Sequence, residues 1–285
     1  MILIADSGSS KTDWRLIKND GKIEQYRGIG FNPSYQTSQE MALLIQEAFL
    51  LGIANDVSEV FYYGAGCSSD HLKDQVKSVL QSFFSNANIN VDHDMMAAAR
   101  ATFGFQAGIA CILGTGSNSC DYDGYNIVNS MPSPGYIFGD EGGGAYVGKR
   151  FLQDFIQGEL PESVNKLVAE ELKLEYKDII ANTYRMPFPN RYMASFCKFI
   201  SAHKKDPYCY MLYYDSFQDF FNKHVKKYPN YKDKQVNFVG SIAFFNSDIL
   251  RSAAADAGIQ VNLILESPIA GLSLYHRENH EYNRK

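Results

Sequence analysis

One arrangement of residues occurs twice in the chain and constrains its fold more than any other feature. Residues 2–5 form an apolar run that ends at Asp6 and a turn of small residues, and residues 12–17 then alternate as a second strand. Residues 108–113 form another apolar run, followed by the small-residue turn 114–117 and further short strands. The pattern predicts two copies of one strand–turn–strand topology, with little sequence identity between them.

Hydrophobic periodicity predicts the remaining elements and an α/β fold. The strands predicted after the first hairpins are 22–29, 57–63, 89–91, 119–122, 125–128, 235–239 and 260–264. The predicted helices are 38–51, 69–84, one beginning near residue 94, 140–157, 161–172, 191–203, 207–227, 247–257 and 268–278. At roughly 150 residues per domain, 285 residues make about two domains. We expect one domain at 1–106, completed by the C-terminal helix at about 268–285, and a second at 107–267.

Charge and cysteine content exclude several classes of function. Lys and Arg number 27 against 32 Asp and Glu, so the net charge is −5. Such a chain has no general electrostatic attraction for nucleic acid or an anionic membrane, and any phosphate must be held by backbone donors or a metal. Five scattered cysteines without CxxC spacing argue against a disulfide framework and a thiolate zinc site. Without a signal peptide or an apolar stretch of about 18 residues, we expect a cytoplasmic protein.

The turn after the first strand is a candidate phosphate site. Lys11-Thr12 suggests a Walker A loop, but that motif needs glycine at positions 5 and 10, where Ala5 and Ser10 stand, and a helix after the loop. The P-loop is therefore excluded. A turn of small residues between two strands can still point N–H groups at a phosphate, and Asp6 is suited to Mg²⁺. An ordinary hairpin turn with Asp6 as an Asx-turn residue remains the alternative.

The turn at 114–117, followed by Asn118, is the matching candidate in the second half. Alone it is ordinary turn composition. Two such turns, each opening one half of the chain, are expected to grip a polyphosphate from both sides.

Asp94 follows a predicted strand and opens an alanine-rich helix. A carboxylate at the carboxyl end of a strand can accept the proton of an alcohol that attacks a phosphoryl group. The alternative is a helix N-cap.

The sequence GYIFGDEGGGAYVG at 135–148 is the densest glycine signal. Because glycine costs about 1 kcal/mol inside a helix, residues 142–144 are predicted to approach a ligand or another segment at a helix start. Asp140 and Glu141 could bind ligand hydroxyls, with an acidic helix N-terminus as the alternative. The loop with Asn32 could bind a sugar, with a plain turn as the alternative. The turn at Gly240-Ser241 could admit adenine, although this motif alone is poor evidence.

These motifs together resemble the actin-like ATPase superfamily, which includes actin, hexokinase and heat-shock chaperones. Residues 4–12 (IADSGSSKT) resemble its first phosphate motif, 113–117 its second and 238–243 its adenosine motif. The GTGSN and GDEGGGAYVG stretches and the Asp94 helix resemble the BadF/BadG/BcrA/BcrD ATPase family, especially N-acetylglucosamine kinases. The resemblance covers nearly the whole chain and is weakest across 158–234.

The resemblance implies two RNase H-like domains with ATP, Mg²⁺ and a sugar in an interdomain cleft. It implies that Asp94 is the base for the sugar C6 hydroxyl and that Asp6 organises Mg²⁺. The residues implied to bind ATP are Gly8, Ser9, Ser10, Lys11, Thr12, Gly114, Thr115, Gly116, Ser117, Gly240 and Ser241. Those implied to bind sugar are Asn32, Asn118, Asp140 and Glu141. One departure is that Ser7 and Ser9 stand where such kinases usually carry glycine.

The sequence therefore predicts an ATP-dependent kinase acting on the 6-hydroxyl of an amino sugar, most simply N-acetylglucosamine. An ATPase that activates a partner dehydratase or reductase is the alternative in the same family. It is weakened because no cysteine has the Cys-Gly-Gly setting of an iron–sulfur ligand. A non-enzymatic regulator is a third hypothesis, against which the intact Asp6 and Asp94 argue. The sequence leaves a homodimer open and does not choose among N-acetylglucosamine, glucosamine, N-acetylmuramic acid and glucose.

Overall fold

The computed structural model describes residues 1–8, 11–46 and 52–282. The chain divides into two compact units. The first comprises Met1–Phe105, Gly124–Asn126 and the C-terminal segment from Pro268, and the second comprises Gln106–Asp123 and Ile127–Ser267.

The first unit is built on a five-stranded mixed sheet. Its strands are β1 (Ile2–Ser7), β2 (Lys11–Ile17), β3 (Ile23–Ile29), β4 (Glu59–Gly64) and β5 (Asn88–His93). They are ordered β3-β2-β1-β4-β5, with β2 antiparallel to β1 and β3, and β1, β4 and β5 parallel. The carboxyl ends of β1, β4 and β5 therefore lie at one edge, where ligands bind in sheets of this kind.

Helices cover this sheet. They are α1 (Ser38–Gln46), α2 (Asp70–Phe83), α3 (Asp94–Phe103) and the C-terminal helix Ile269–Tyr282. The alternation of apolar residues along β1 buries Leu3 and Ala5 in one core with Trp14 and Tyr62. The predicted helix at 38–51 begins at Ser38 as expected, and its residues 47–51 lie outside the described part.

The second unit repeats the same topology. Its strands are β6 (Gly108–Leu113), β7 (Ser117–Tyr122), β8 (Ile127–Ser130), β9 (Gln235–Val239) and β10 (Gln260–Leu265). The order β10-β9-β6-β7-β8 again places the first strand at the centre, antiparallel to the second and parallel to the fourth. The prediction of an α/β fold with two copies of one topology is confirmed.

The helices of the second unit depart from the predicted bounds at several places. They are α4 (Gly144–Gln157), α5 (Glu162–Leu167), α6 (Tyr176–Tyr184), α7 (Pro189–Ser195), α8 (Cys197–Ala202), α9 (Pro207–Lys223), α10 (Ser241–Phe245) and α11 (Ser247–Asp256). The prediction that α4 starts at 140 is wrong, because Asp140 has φ 60° and Gly142 φ 79°, values that a right-handed helix excludes. The predicted helix 191–203 is two helices, and α6 and α10 were not predicted.

Candidate active site

The turn between β1 and β2 is closed by buried hydroxyls. The Thr12 hydroxyl donates to the carbonyl of Ile29 (3.1 Å) and lies 2.8 Å from the Ser7 hydroxyl. The N–H of Gly8 donates to the carbonyl of Lys11 at 3.0 Å, as in a hairpin. The Lys11 ammonium lies 3.1 Å from the Asp13 carboxylate. Both the serine at position 7 and the threonine at position 12 thus hold the turn itself.

Ser9 and Ser10, which the sequence predicts to bind phosphate, lie outside the described residues. Asp6 is the penultimate residue of β1 and lies in register between Asp13 of β2 and Tyr63 of β4. Its side chain is half-buried at the edge of the sheet where the parallel strands end. Across the part of the chain that the structure describes, no three His, Cys, Asp or Glu side chains come together as a metal site. A single carboxylate fits Mg²⁺, which usually binds one or two carboxylates together with substrate phosphates and water.

Asn32 is held against the turn that follows β4. Its side-chain oxygen accepts from the N–H of Ser34 at 2.9 Å, and its own N–H donates to Gln36 Oε1 at 2.7 Å. A Cβ on Gly66, whose φ is +85°, would lie 2.0 Å from that oxygen, so only glycine fits there. Sequence reasoning found Asn32 but missed this turn, although Gly-Ala-Gly directly after a predicted strand was a readable signal.

Asp94 is the first residue of α3, directly after β5. The cap of this helix is His93, whose Nδ1 accepts from the N–H of Met96 at 3.3 Å, so the alternative reading of Asp94 as the N-cap is wrong. Burial raises the pKa of the Asp94 carboxyl, while His93 and the N–H of Met95 oppose that shift. A carboxylate with a raised pKa is a stronger base toward an alcohol.

The neighbours of Asp94 are uncharged or already paired. Burial lowers the pKa of His93, which suits the unprotonated Nδ1 that the helix cap requires. Burial, followed by the negative charge of Asp94, raises the pKa of Cys67 to about 12, so this thiol is not a nucleophile at neutral pH. Asp92 is bound to the Lys73 ammonium at 2.8 Å. Asp94 is therefore the carboxylate at this strand end without a lysine partner among the described residues.

In the second unit, the turn at 114–117 is braced by the start of α4. The N–H groups of Gly144 and Ala145 donate to the carbonyls of Gly114 and Thr115, both at 2.8 Å. The turn's own N–H of Gly114 donates to Gly116. In the hydrogen bonding of the described residues, the N–H groups of Thr115 and Gly116 have no acceptor, and Thr115 is exposed. The turn thus has two backbone donors that are not used within the described residues, and an anion-binding nest is built from such donors.

The two acidic residues of the glycine-rich segment lie at the same place. Asp140 Oδ1 accepts from the N–H of Ser117 at 3.2 Å, and burial raises the pKa of the Asp140 carboxyl. A Cβ on Gly143 would lie 2.7 Å from the backbone of Gly116. Glycines 142–144 are therefore a close-approach segment, as predicted, and Gly143 packs on the predicted phosphate turn.

Glu141 lies beside a buried histidine that sequence reasoning missed. Its carboxylate is 3.8 Å from Nε2 of His224, whose Nδ1 is 3.3 Å from the Ser119 hydroxyl. Burial lowers the pKa of His224 and the charge of Glu141 raises it. The hydroxyl of Ser119 is in turn hydrogen-bonded to the hydroxyl of Tyr228, at 2.8 Å. No spacing in the sequence connects residues 141 and 224, because the contact is made only by the fold.

Gly240 brings the predicted adenosine motif to the end of β6. Gly240 has φ +122°, a conformation that favours glycine. A Cβ at this position would lie 2.3 Å from the carbonyl oxygen of Leu113 and 3.1 Å from the backbone nitrogen of Gly114. Ser241 is exposed and opens α10, where the sequence suggested only a turn. Asn118 lies on β7, where its side-chain oxygen accepts from the N–H of Ser119. The second unit therefore gathers its candidate ATP and sugar residues around the 114–117 turn.

We expect Gly116→Ala to destabilise the second unit by about 1–2 kcal/mol. The new Cβ would lie 2.8–2.9 Å from the Asp140 carboxylate and displace it, so that the N–H of Ser117 would lose its acceptor. Gly114→Ala is the matched control, since nothing lies within 4 Å of its Cβ, and we expect a change below about 0.5 kcal/mol. Urea unfolding of both variants measures the difference. Equal stabilities would show that Asp140 is not held as described.

Comparison with known proteins shows the family of this chain. The sequence matches none of the protein-family models and none of the curated proteins with which it was compared. The crystal structure of the putative N-acetylglucosamine kinase from Porphyromonas gingivalis is 40% identical, with a TM-score of 0.94 over 98% of this chain and 100% of that one. The chain belongs to the same family. That family lies among the sugar kinases of the actin-like ATPase fold, which confirms the predicted enzyme class, a carbohydrate kinase.

Two more distant structures share the fold of this kinase. A putative N-acetylglucosamine kinase from Chromobacterium violaceum is 19% identical, with a TM-score of 0.69 over 96% of this chain and 98% of that one. A ROK family glucokinase from Streptomyces griseus, in complex with glucose and AMPPNP, is 15% identical, with a TM-score of 0.54 over 96% and 97% of the two chains. At these identities the likeness shows the fold alone.

None of the helices in the described residues is long and apolar enough to cross a membrane.

Proposed function

We propose that this kinase transfers the γ-phosphoryl group of ATP to the 6-hydroxyl of N-acetylglucosamine in the cytoplasm. The observation that carries the proposal is the 114–117 turn, which offers two unused backbone N–H groups beside Asp140 and Glu141. Backbone donors suit phosphate and paired carboxylates suit sugar hydroxyls, so one small region has donors for one substrate and acceptors for the other. The 40% identity to a putative N-acetylglucosamine kinase supports the choice of sugar.

In this proposal Asp94 is the general base. Its carboxylate takes the proton of the sugar 6-hydroxyl as that oxygen bonds to the γ-phosphorus, and the bond from the γ-phosphorus to the β,γ-bridging oxygen breaks to release ADP. The raised pKa of Asp94 makes this proton transfer easier than at an exposed aspartate. Mg²⁺, held by Asp6, would neutralise negative charge on the phosphates.

The remaining residues bind and orient the two substrates. We assign the phosphates to Gly8, Ser9, Ser10, Lys11, Thr12, Gly114, Thr115, Gly116 and Ser117, and the nucleoside to Gly240 and Ser241. The hydroxyl and acetamido groups of the sugar are assigned to Asn32, Asn118, Asp140 and Glu141. We also propose that the two domains are 1–106 with the C-terminal helix at about 268–285, and 107–267, and we leave a homodimer open.

The experiment that tests this function is ADP release from the purified kinase and Mg²⁺-ATP across a panel of sugars. We expect the largest kcat/KM with N-acetylglucosamine, and values about tenfold to several hundredfold lower with glucose, glucosamine and N-acetylmuramic acid, since one or two hydrogen bonds at C2 or C3 separate them. A preference for another sugar would correct the substrate. ATP turnover that no sugar stimulates would overturn the kinase and favour the ATPase activator.

A further inference from the structure

One face of α9 carries three buried residues at intervals of four. They are Ser216, Phe220 and His224, the last of which directly follows the helix. Because an α-helix completes a turn in about 3.6 residues, side chains spaced by four lie one above another on the same face. This face of α9 therefore presents a hydroxyl, a phenyl ring and an imidazole in one row.

Each member of this row contacts the segment that carries the candidate sugar ligands. Ser216 Oγ accepts from the N–H of Gly142 at 3.1 Å. A Cβ on Gly142 would lie 3.0 Å from Cβ of Phe220, so the helix and the segment are closely packed. Nε2 of His224 lies 3.8 Å from Oε2 of Glu141. The row thus fixes the backbone at residue 142 and lies against the side chain of residue 141.

The imidazole of His224 is held on two further sides. Its ring stacks on that of Phe220, with 4.7 Å between the centroids and an interplanar angle of 19°. Its Nδ1 lies 3.3 Å from the hydroxyl of Ser119 on β7. A ring fixed by stacking and by a hydrogen bond presents Nε2 in one direction, toward Glu141.

The proton of this imidazole can be placed because both ends of its hydrogen-bond network are chemically fixed. At one end the backbone N–H of Met131 donates to the hydroxyl of Tyr228 at 3.1 Å, and at the other end the Glu141 carboxylate only accepts. If Tyr228 donates to Ser119 and Ser119 donates to Nδ1 of His224, every proton has a partner and Nε2–H faces the carboxylate. The opposite direction would leave the phenol proton of Tyr228 without a partner among the described residues and turn a nitrogen lone pair toward a negative charge. Burial lowers the pKa of His224, in agreement with a neutral ring that carries one proton.

His224 is the neighbour that can orient Glu141. No other side chain among the described residues lies within hydrogen-bonding or ion-pair distance of the Glu141 carboxylate, whose side chain is 13% exposed. A separation of 3.8 Å is longer than a hydrogen bond, but electrostatic attraction is strong where little water intervenes. A partner at Oε2 leaves Oε1 to accept from a ligand hydroxyl.

We propose that His224 is a positioning residue of the sugar site. Its Nε2–H attracts Oε2 of Glu141 and so orients the carboxylate whose other oxygen accepts from a sugar hydroxyl. The inference rests on the proposed function, in which Glu141 binds the sugar. His224 itself touches no substrate, so its effect on the sugar passes through Glu141.

Steady-state kinetics with the sugar that has the highest kcat/KM in the panel test this role. We expect His224→Leu to raise the KM for that sugar about tenfold, the lower end for losing a hydrogen bond to a charged group, with kcat and the KM for ATP within about threefold of wild type. His224→Gln restores an N–H near the position of Nε2, and its KM for the sugar should stay within about threefold of wild type.

His276→Leu is the matched control. His276 is also 3% exposed, stacks on Phe61 with 3.8 Å between the centroids and lies 2.8 Å from the Tyr63 hydroxyl, but it contacts none of the residues assigned to the sugar. We expect its replacement to leave the KM for the sugar unchanged. A KM as high in His276→Leu or His224→Gln as in His224→Leu would indicate a general structural effect and overturn the role.

A double-mutant cycle with Glu141→Gln separates this inference from the proposed function. We expect Glu141→Gln to raise the KM for the sugar at least about tenfold, and His224→Leu to add less than about twofold in its presence. An unchanged KM in Glu141→Gln would overturn the assignment of Glu141 to the sugar and this inference with it. A raised KM in Glu141→Gln with effects of His224→Leu that are absent, or that multiply in the double variant, would overturn the positioning role alone.

The tautomer of His224 provides a test that needs no substrate. In the full chain labelled with a nitrogen isotope, NMR couplings between the ring nitrogens and the carbon-bound ring protons distinguish the two neutral forms, and the His224 signals are those absent from His224→Gln. We expect the proton on Nε2. A proton on Nδ1 would overturn the inference, whichever sugar the kinase uses.

Discussion

Replacing Asp94 by asparagine should lower kcat for sugar phosphorylation by about 10²- to 10⁴-fold, the usual contribution of a general base. Asparagine keeps the shape of the side chain but cannot accept the hydroxyl proton. Burial raises the pKa of Asp94, so the folded protein disfavours the charged form of this carboxyl group. Removing the charge should therefore leave the melting temperature unchanged or raise it. Nucleotide binding, measured by calorimetry, should be retained.

Asp92→Asn is the matched control for this prediction. Asp92 lies at the same strand end, but its carboxylate is engaged by Lys73 at 2.8 Å and by the N–H of His93 at 2.9 Å. We expect its kcat to stay within about tenfold of wild type, since a partly exposed ion pair contributes little. Near-normal turnover by Asp94→Asn would exclude Asp94 as the base, and an equal loss in both variants would indicate a structural effect.

Among glycine-to-alanine substitutions at the candidate ATP-binding residues, Gly240→Ala should be the most destabilising. Its Cβ would lie 2.3 Å from the carbonyl oxygen of Leu113, a rigid backbone atom at the end of β6, and φ +122° is itself unfavourable for alanine. Strain and overpacking together should cost about 3 kcal/mol. The KM for ATP should rise in the same variant, because the displaced strand end carries the 114–117 turn.

Gly258→Ala separates the close contact from the backbone angle. Gly258 also has positive φ, +68°, but nothing lies within 4 Å of its Cβ, so we expect a cost of only about 1 kcal/mol and an unchanged KM for ATP. Urea unfolding and steady-state kinetics of both variants measure the two effects. If Gly240→Ala and Gly258→Ala were equally stable, the contact between Gly240 and the end of β6 would be wrong.

The fold was predictable wherever a local pattern and the tertiary environment agree. The apolar strand followed by a small-residue turn identified β1 and β6, because a central strand buried on both faces needs an apolar run and a tight turn needs small residues. Helix starts were less predictable. Acidic residues at 140–141 favoured a helix there, but Asp140 has positive φ and its carboxylate accepts from the N–H of Ser117, and α4 begins only at Gly144.

The residues proposed for the candidate site could be selected from the sequence one at a time, whereas their contacts could not be predicted. Asp94 could be selected from its position after a strand, yet the sequence favoured aspartate over histidine as a helix cap, and it is His93 that caps α3. The pairing of Glu141 with His224 joins residues 83 positions apart and depends on how α9 packs in the second unit. Such long-range partners have no periodicity or spacing of their own, so only the structure reveals them.

The most direct test of the proposed reaction is the identity of its product. The wild-type kinase is incubated with Mg²⁺-ATP and N-acetylglucosamine, and the phosphorylated sugar is examined by phosphorus–proton correlation NMR. We predict a phosphorus nucleus coupled to the two C6 protons, formed in equal amount to ADP and absent with Asp94→Asn on the same time scale. Phosphate on any other position, or ADP released together with free phosphate and no sugar phosphate, would contradict the account.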